Sequence, residues 1–268
     1  MSLVVNADDF GLSADVNKAI VECFEKRYID RTTVMVNMPC AKAAAEVSRK
    51  NGFIDKVGLH INLTQGKPLT EGIAKNPLFC DENGEFNAAF YRNTLLRLHM
   101  DKKTMKDMYE EVKAQLDAYK QLGFTLDHID SHHHVHTNYP VYKVLKKLSK
   151  EYHFSSVRLS RNLYLNGSFL INKYKKMYNK KIANICEHPT DYFGSYEDAK
   201  VYYSELRGQL GNVPSDDLEE SVGKVAEFFS RHSVEIMVHP MYSDSVELVD
   251  TDIPFDSEVV LFNKIRSL

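Results

Sequence analysis

The stretch Asp130-Ser131-His132-His133-His134-Val135-His136 holds four of the chain's eleven histidines within five consecutive positions. Packing does not explain such crowding, because an imidazole is poorly tolerated in a core unless its nitrogens are satisfied. An expression tag would sit at a terminus, whereas this run lies mid-chain, directly after the apolar alternating segment 124–129. Imidazoles behind a leading carboxylate are a natural source of metal ligands. The plain alternative is a solvated histidine-rich loop.

The run belongs to a chain that alternates between strand-like and helical patterns. Residues 2–7 form a short apolar run that stops at Asp8-Asp9-Phe10-Gly11, which reads as a buried strand ending in two carboxylates. Ser13 is placed to cap a helix whose apolar positions are Val16, Ile20, Val21 and Phe24. A second strand is expected over 32–37, a second helix over 41–49 and a third strand over 57–63, then a helix over 104–121 and the strand that delivers the histidines. Tyr142, Leu145 and Leu148 mark a further helix, 156–159 a strand, 218–232 a helix, and 234–238 a strand ending at His239-Pro240. Alternation of this kind argues a parallel α/β arrangement. Two stretches break it. Residues 67–103 scatter Pro68, Gly72, Pro77 and Gly84 among polar residues, and 163–194 is rich in Tyr, Asn and Lys, so both read as insertions; the aromatics of the second could line a sugar groove.

A length of 268 residues suits one barrel-sized domain, since α/β barrels run to about 250 residues. No repeat or linker divides the chain. The 34 basic and 37 acidic residues nearly cancel, so no strong field recommends a nucleic-acid or membrane partner. Cys23, Cys40, Cys80 and Cys186 form no CxxC pair, as expected of a reduced chain. With no signal peptide and no apolar run approaching the roughly 18 residues of a membrane span, the expectation is a soluble, cytoplasmic protein.

Chemistry then collects at strand ends: Asp8 and Asp9 after the first strand, His60 within the third, the histidine run, and His239. In parallel α/β folds these ends share one mouth. Each residue has a structural reading of its own: a helix cap for Asp8 or Asp9, a satisfied core histidine for His60, a turn for His239. Their joint occurrence at strand ends argues for function. Two adjacent carboxylates repel unless a positive charge sits beside them, and a divalent metal supplies one. One Asp would bind the ion and the other face the reacting water; spacing alone does not say which. If the strand continues through the run, period two puts Asp130, His132, His134 and His136 on one side and His133 on the other. A carboxylate with two imidazoles and open positions is the pattern of a catalytic divalent ion, which would acidify water and polarise a carbonyl.

These residues resemble the YdjC/ChbG-type carbohydrate deacetylases, which remove N-acetyl groups from oligosaccharides such as acetylated chitobiose. The matching pieces are Asn6-Ala7-Asp8-Asp9-Phe10-Gly11-Leu12, Gly58-Leu59-His60-Ile61-Asn62-Leu63-Thr64 with Gly66-Lys67-Pro68-Leu69, the histidine block, and His239-Pro240, in the family's order across nearly the whole chain. The resemblance implies a single domain over 1–268 folded as an irregular, NodB-like (β/α) barrel. It implies a metal, Mg2+ or Zn2+, held by Asp9, His60 and His132, with Asp8 as general base, His239 as the acid that protonates the departing amine, and Arg158 orienting Asp8. His134 and His136 would support the ligands or touch the sugar, and His133 would be structural. Family members commonly continue beyond the region 261–268 into a last strand that this sequence does not show. The expected reaction is hydrolysis of N-acetyl groups on chito-oligosaccharides, in chitin breakdown, with a homodimer as the assembly allowed for. The alternatives are a metal phosphoesterase and a metal-dependent sugar-binding protein on the same scaffold.

Overall fold

The computed structural model of the chain describes residues 3–93, 99–163, 168–199, 227–228, 230–251 and 253–255. Strand β1 (Leu3–Phe10) lies inside the sheet, with Val5, Ala7 and Phe10 buried in the apolar layer. Helix α1 (Ala14–Glu25) follows, and the Ser13 side chain accepts from the Val16 backbone N–H, the cap expected from the sequence. Next come β2 (Arg31–Val34), α2 (Ala41–Lys50) and β3 (Val57–Ile61). Among its described residues the first long excursion carries two short helices, α3 (Glu71–Ala74) and α4 (Ala89–Arg92), and buries Ile73, Phe79 and Phe90 completely. Helix α5 (Lys102–Gln121) is capped by Asp101 and leads to β4 (His128–Ser131). Helix α6 (Tyr139–Leu148) and strand β5 (Ser156–Val157) complete this half.

The segment expected as a second insertion holds helix α7 (Phe169–Ala183) and strand β6 (Tyr192–Ser195), and β6 is part of the main sheet. Strand β7 (Val234–Val238) pairs with both β1 and β6. The sheet runs in the order β5-β4-β3-β2-β1-β7-β6, with every neighbouring pair parallel. It curls into a half-barrel, and the segment after β5 reaches β6. The N–H groups of Asn162 and Leu163, just beyond β5, donate to Phe193 O of β6 at 2.9 and 3.1 Å. The result is an α/β, barrel-like domain of NodB-like type. A small antiparallel sheet of β8 (Pro240–Tyr242), β9 (Leu248–Asp250) and β10 (Ile253–Pro254) follows His239 and joins α1 through Tyr242, whose hydroxyl donates to Glu22 at 2.7 Å. Most of the helix expected over 218–232 and the whole of 261–268 lie outside the described residues.

Burial explains the strand runs. Residues facing the helices are apolar: Val57, Leu59, Ile129, Val157, Val234 and Ile236 are all at most 2% exposed. The alternate positions face the barrel interior and are polar, with Asn6, Thr33, His60, His128, Asp130, Arg158 and Glu235 all buried. Buried charges must be paired to be tolerated, and here Arg158 ion-pairs with Asp8, Asp130 and Glu235. Gly58 is part of that fit, since a Cβ there would lie 2.8 Å from the carbonyl oxygen of His128.

Candidate metal centre and active site

The two carboxylates after β1 reach one mouth because the strand is not regular. Ala7 pairs with Thr32 and Phe10 with Val34, so three steps on β1 match two on β2. This is a bulge, a device that bends a strand and re-aims a side chain. Asp9 sits on it with φ of 68°, a left-handed conformation that non-glycine residues rarely adopt and that gathers at functional sites. Phe10 thereby stays in the core while Asp8 and Asp9 both face the barrel mouth.

Asp9 meets two histidines from other strands. Its Oδ1 lies 3.2 Å from His60 Nε2 and 2.8 Å from His132 Nδ1, though 123 residues separate Asp9 from His132. The three side chains form a group able to hold a metal ion, each offering one ligand atom. Metal–ligand bonds of about 2.0–2.2 Å put adjacent ligands roughly 3 Å apart, so the donor set and its spacing fit a small divalent cation. Two other acid–histidine groups occur among the described residues, Asp8 with His60 and Asp130, and His128 with Asp130 and Glu235. Arg158 ion-pairs with Asp8, Asp130 and Glu235, so a guanidinium already occupies those two groups.

The ring of His60 is held from behind. Its Nδ1 lies 2.7 Å from Asp130 Oδ1, and Asp130 Oδ2 accepts from Thr33 Oγ1 at 2.9 Å. A carboxylate behind a histidine fixes which nitrogen faces the ion and raises its basicity. Burial alone would lower the His60 pKa, but the Asp130 carboxylate outweighs it and the pKa is raised to about 10. Burial would likewise raise the Asp9 pKa, yet contacts from His132 and His60 hold that carboxyl well below the usual range. Charge counting agrees: Asp8, Asp9, Asp130 and Glu235 stand against Arg31 and Arg158. Two positive charges are missing, as many as a divalent ion between neutral imidazoles supplies.

Arg158 grips Asp8 with both ends of its fork, Nη1 to Oδ2 at 2.6 Å and Nη2 to Oδ1 at 2.7 Å. Desolvation pushes the Asp8 pKa up, and the guanidinium more than reverses it, leaving the carboxyl well below its ordinary value. Asn6 Nδ2 also donates to Oδ1 at 2.8 Å. His239 Nε2 lies 3.9 Å from Asp8 Oδ2, and the His239 backbone N–H is tied to Asp250 at 2.6 Å. Asp8, Asp9, His60, His132 and His239 line one cavity of about 390 Å3 together with Tyr91, His133 and His134.

The histidine run itself departs from a continued strand. β4 ends at Ser131, and the next residues turn, with φ of 52° at His133 and 53° at His134. The period-two sorting of 130–136 therefore stops at its first member, and the four histidines diverge. His133 is packed between His132, at 4.1 Å between ring centres, and Tyr91, at 5.5 Å, and lies 3.0 Å from Thr64 Oγ1. His134 lines both this cavity and an adjoining one of about 580 Å3 beside α7. His136 is fully buried against Ser131 Oγ, at 2.6 Å, and burial lowers its pKa to about 3, so it supports the turn instead of facing the cavity. Sequence reasoning missed Glu235, Thr33 and Tyr91. Glu235 had a signal, a lone charge inside the apolar strand Val234–Val238; Tyr91, on a short helix of an irregular excursion, had none.

Known proteins resemble this chain along nearly its whole length. A family model described as YdjC-like protein matches residues 2–262. A carbohydrate deacetylase of Vibrio parahaemolyticus is 30% identical over 263 residues, which is 97% of this chain and 86% of that protein. One of Clostridium beijerinckii is 28% identical over 91% of this chain and 83% of its own. A crystal structure from Enterococcus faecalis V583, described provisionally as a cellobiose-phosphate cleavage protein, superposes with a TM-score of 0.65 at 22% identity, over 99% of this chain and 92% of its own. That likeness speaks for the fold alone. The family match across nearly the whole length, with a 30% identical relative, shows that this chain belongs to the YdjC-like protein family.

Proposed function

We propose that the chain hydrolyses the N-acetyl amide of an acetylated carbohydrate, using one divalent metal ion held by Asp9, His60 and His132. The observation that carries this reading is the meeting of those three donors with Asp8 and His239 in one cavity of about 390 Å3. The names of the relatives support the same chemistry. A divalent ion bound there supplies Lewis acidity, lowering the pKa of water at the site and polarising the amide carbonyl. Two imidazoles lean the choice towards Zn2+, while Mg2+ suits a shell filled by water.

Asp8 is the general base. Its Oδ1 already accepts from Arg158 and Asn6, whereas Oδ2 accepts from Arg158 alone and faces His239. Oδ2 is therefore the oxygen with a lone pair left to take the proton of the attacking water. Arg158 keeps Asp8 ionised and fixed in plane, a bidentate geometry that only a guanidinium provides. His239 stands across from that oxygen and protonates the amine nitrogen as the C–N bond breaks. Its side chain is 41% exposed, which lets it regain a proton from solvent after each turnover.

A two-metal phosphoesterase needs several carboxylates bridging two ions. Arg158 fills both alternative acid groups among the described residues, which favours the deacetylase. Acetate release from diacetylchitobiose, measured after metal removal and again after adding Zn2+ or Mg2+, tests the reading against phosphate release from a generic ester. No acetate from any of a panel of acetylated sugars, with metal stoichiometrically bound, would sink it and leave the sugar-binding alternative. The fuller version is a cytoplasmic homodimer that acts on chito-oligosaccharides from chitin. Chain-length dependence of the rate and the mass in solution test that version.

A further inference from the structure

Glu235 is the second residue of β7, fully buried and absent from the lining of the reacting cavity. It nevertheless touches both interior arginines. Its Oε1 accepts from Arg158 Nε at 2.6 Å, and its Oε2 lies 2.7 Å from Arg31 Nη2. Arg31 Nε in turn donates to Asn6 Oδ1 at 3.0 Å, and Asn6 donates to Asp8. Glu235, Arg158, Asp8, Asn6 and Arg31 thus close a ring of hydrogen bonds and ion pairs inside the barrel. Outside that ring Arg158 Nη2 also lies 2.8 Å from Asp130 Oδ2, and Asp130 backs His60.

A guanidinium has five donors in one rigid plane. Nη1 and Nη2 are engaged by Asp8 and Asp130 and the face of the plane lies on the Phe193 ring, 4.7 Å from Cζ to the ring centre, which leaves the Nε edge as the one that fixes the direction of the fork. Glu235 holds Nε. Tilting the plane would displace two carboxylates at once, the one that takes the proton of water and the one that sets the His60 ring. Resting on the deacetylase reading for its kinetic half, we propose that Glu235 is a positioning residue that aligns Asp8 and the Asp130–His60 pair together, through Arg158.

The substitution that tests this is Glu235→Gln, which keeps the shape but cannot accept from both arginines with a charged oxygen. It removes the charge and turns an NH2 group towards either Arg31 or Arg158. At saturating metal, kcat is expected to fall at least about tenfold with KM within twofold, because misplacement of about 1 Å at a reacting group costs up to a hundredfold. Metal affinity, read by calorimetry, is expected to weaken about tenfold, the lower range for loss of a group behind a ligand. Two double variants separate positioning from bulk stability. In an Asp8→Asn background Glu235→Gln should cost the residual turnover less than twofold, and in an Asp130→Asn background it should leave metal affinity unchanged, because the group it aligns is already gone. Equal losses with and without Asp8 or Asp130, or a wild-type kcat in folded Glu235→Gln protein, would overturn the proposal. Should Glu235→Gln fail to fold, Glu235→Asp, one methylene too short to reach Arg158, carries the same comparisons. If the wild-type protein releases no acetate, the deacetylase reading fails, and the metal-affinity arm still decides the role of Glu235.

Discussion

His60 Nδ1 and Asp130 Oδ1 lie 2.7 Å apart inside the barrel, and that contact leaves His60 Nε2 facing Asp9. Asp130→Asn should therefore weaken metal binding by about 10–100-fold without removing a ligand. His132→Ala should lose the ion, and His134→Ala, whose ring lines the cavity without contacting Asp9, should keep it. Calorimetric titration of the three folded variants checks the order. Equal loss in His132→Ala and His134→Ala would reopen the ligand assignment.

The raised pKa of His60 has a thermodynamic sign. In metal-free protein the imidazolium is stabilised by folding, so its contribution is complete below the unfolded value near 6.5 and is lost as pH rises through about 10. Melting temperature of the metal-free protein should fall across that window. An incoming ion must displace the same proton, so binding at pH 8 should release about one proton. Titrations in two buffers of different ionisation enthalpy measure it, and release near zero would show that His60 is already neutral.

Asp8 carries the proposed proton transfer, while its own pKa is held far below neutrality. Asp8→Asn should bind metal with near wild-type stoichiometry and lose about 10²–10⁴ in kcat, the usual worth of a general base. Since Arg158 holds the Asp8 pKa well below its ordinary value, any acid limb near neutral pH in the wild-type rate profile should follow metal occupancy measured over the same pH range. An acid limb that persists at full occupancy would point to a different base.

Removing Arg158 has a structural cost as well as a chemical one. Arg158→Met leaves Asp8, Asp130 and Glu235 buried without their shared partner, and breaking a buried pair from one side costs about 3–5 kcal/mol. Denaturant melts should show a loss of that size, while His239→Gln, at the exposed rim, should leave stability nearly unchanged and lower kcat.

Gly58 tests the fit of the interior. A Cβ there would lie 2.8 Å from His128 O and 3.1 Å from Thr33 Cγ2, so Gly58→Ala must separate β3 from its neighbours. A loss of about 1–3 kcal/mol is expected. Because Thr33 donates to Asp130, metal affinity should drop with it. Unchanged melting would mean that the strands yield more easily than their packing suggests.

Much of this protein is determined by short-range sequence pattern. Apolar runs of strand length alternating with helical periods are enough for a parallel α/β fold, because each element must bury one face. Reactive residues at strand ends are enough to place a site at the barrel mouth, where the structure brings Asp8, Asp9, His60, His132 and His239 together. Pattern failed where the backbone leaves its regular period: the bulge that re-aims Asp9, the left-handed turn at His133 and His134 that leaves His132 alone beside Asp9, and strand β6 inside a stretch read as an insertion. Only the tertiary structure decided which charges answer one another. Arg158 and Asp8 are 150 residues apart, and Glu235 is one acid in a strand until Arg31 and Arg158 are seen to close on it. The physical reason is that burial along one element is written in its own periodicity. The partner of a buried charge is set by which other strand stands opposite, and no local window of sequence contains that strand.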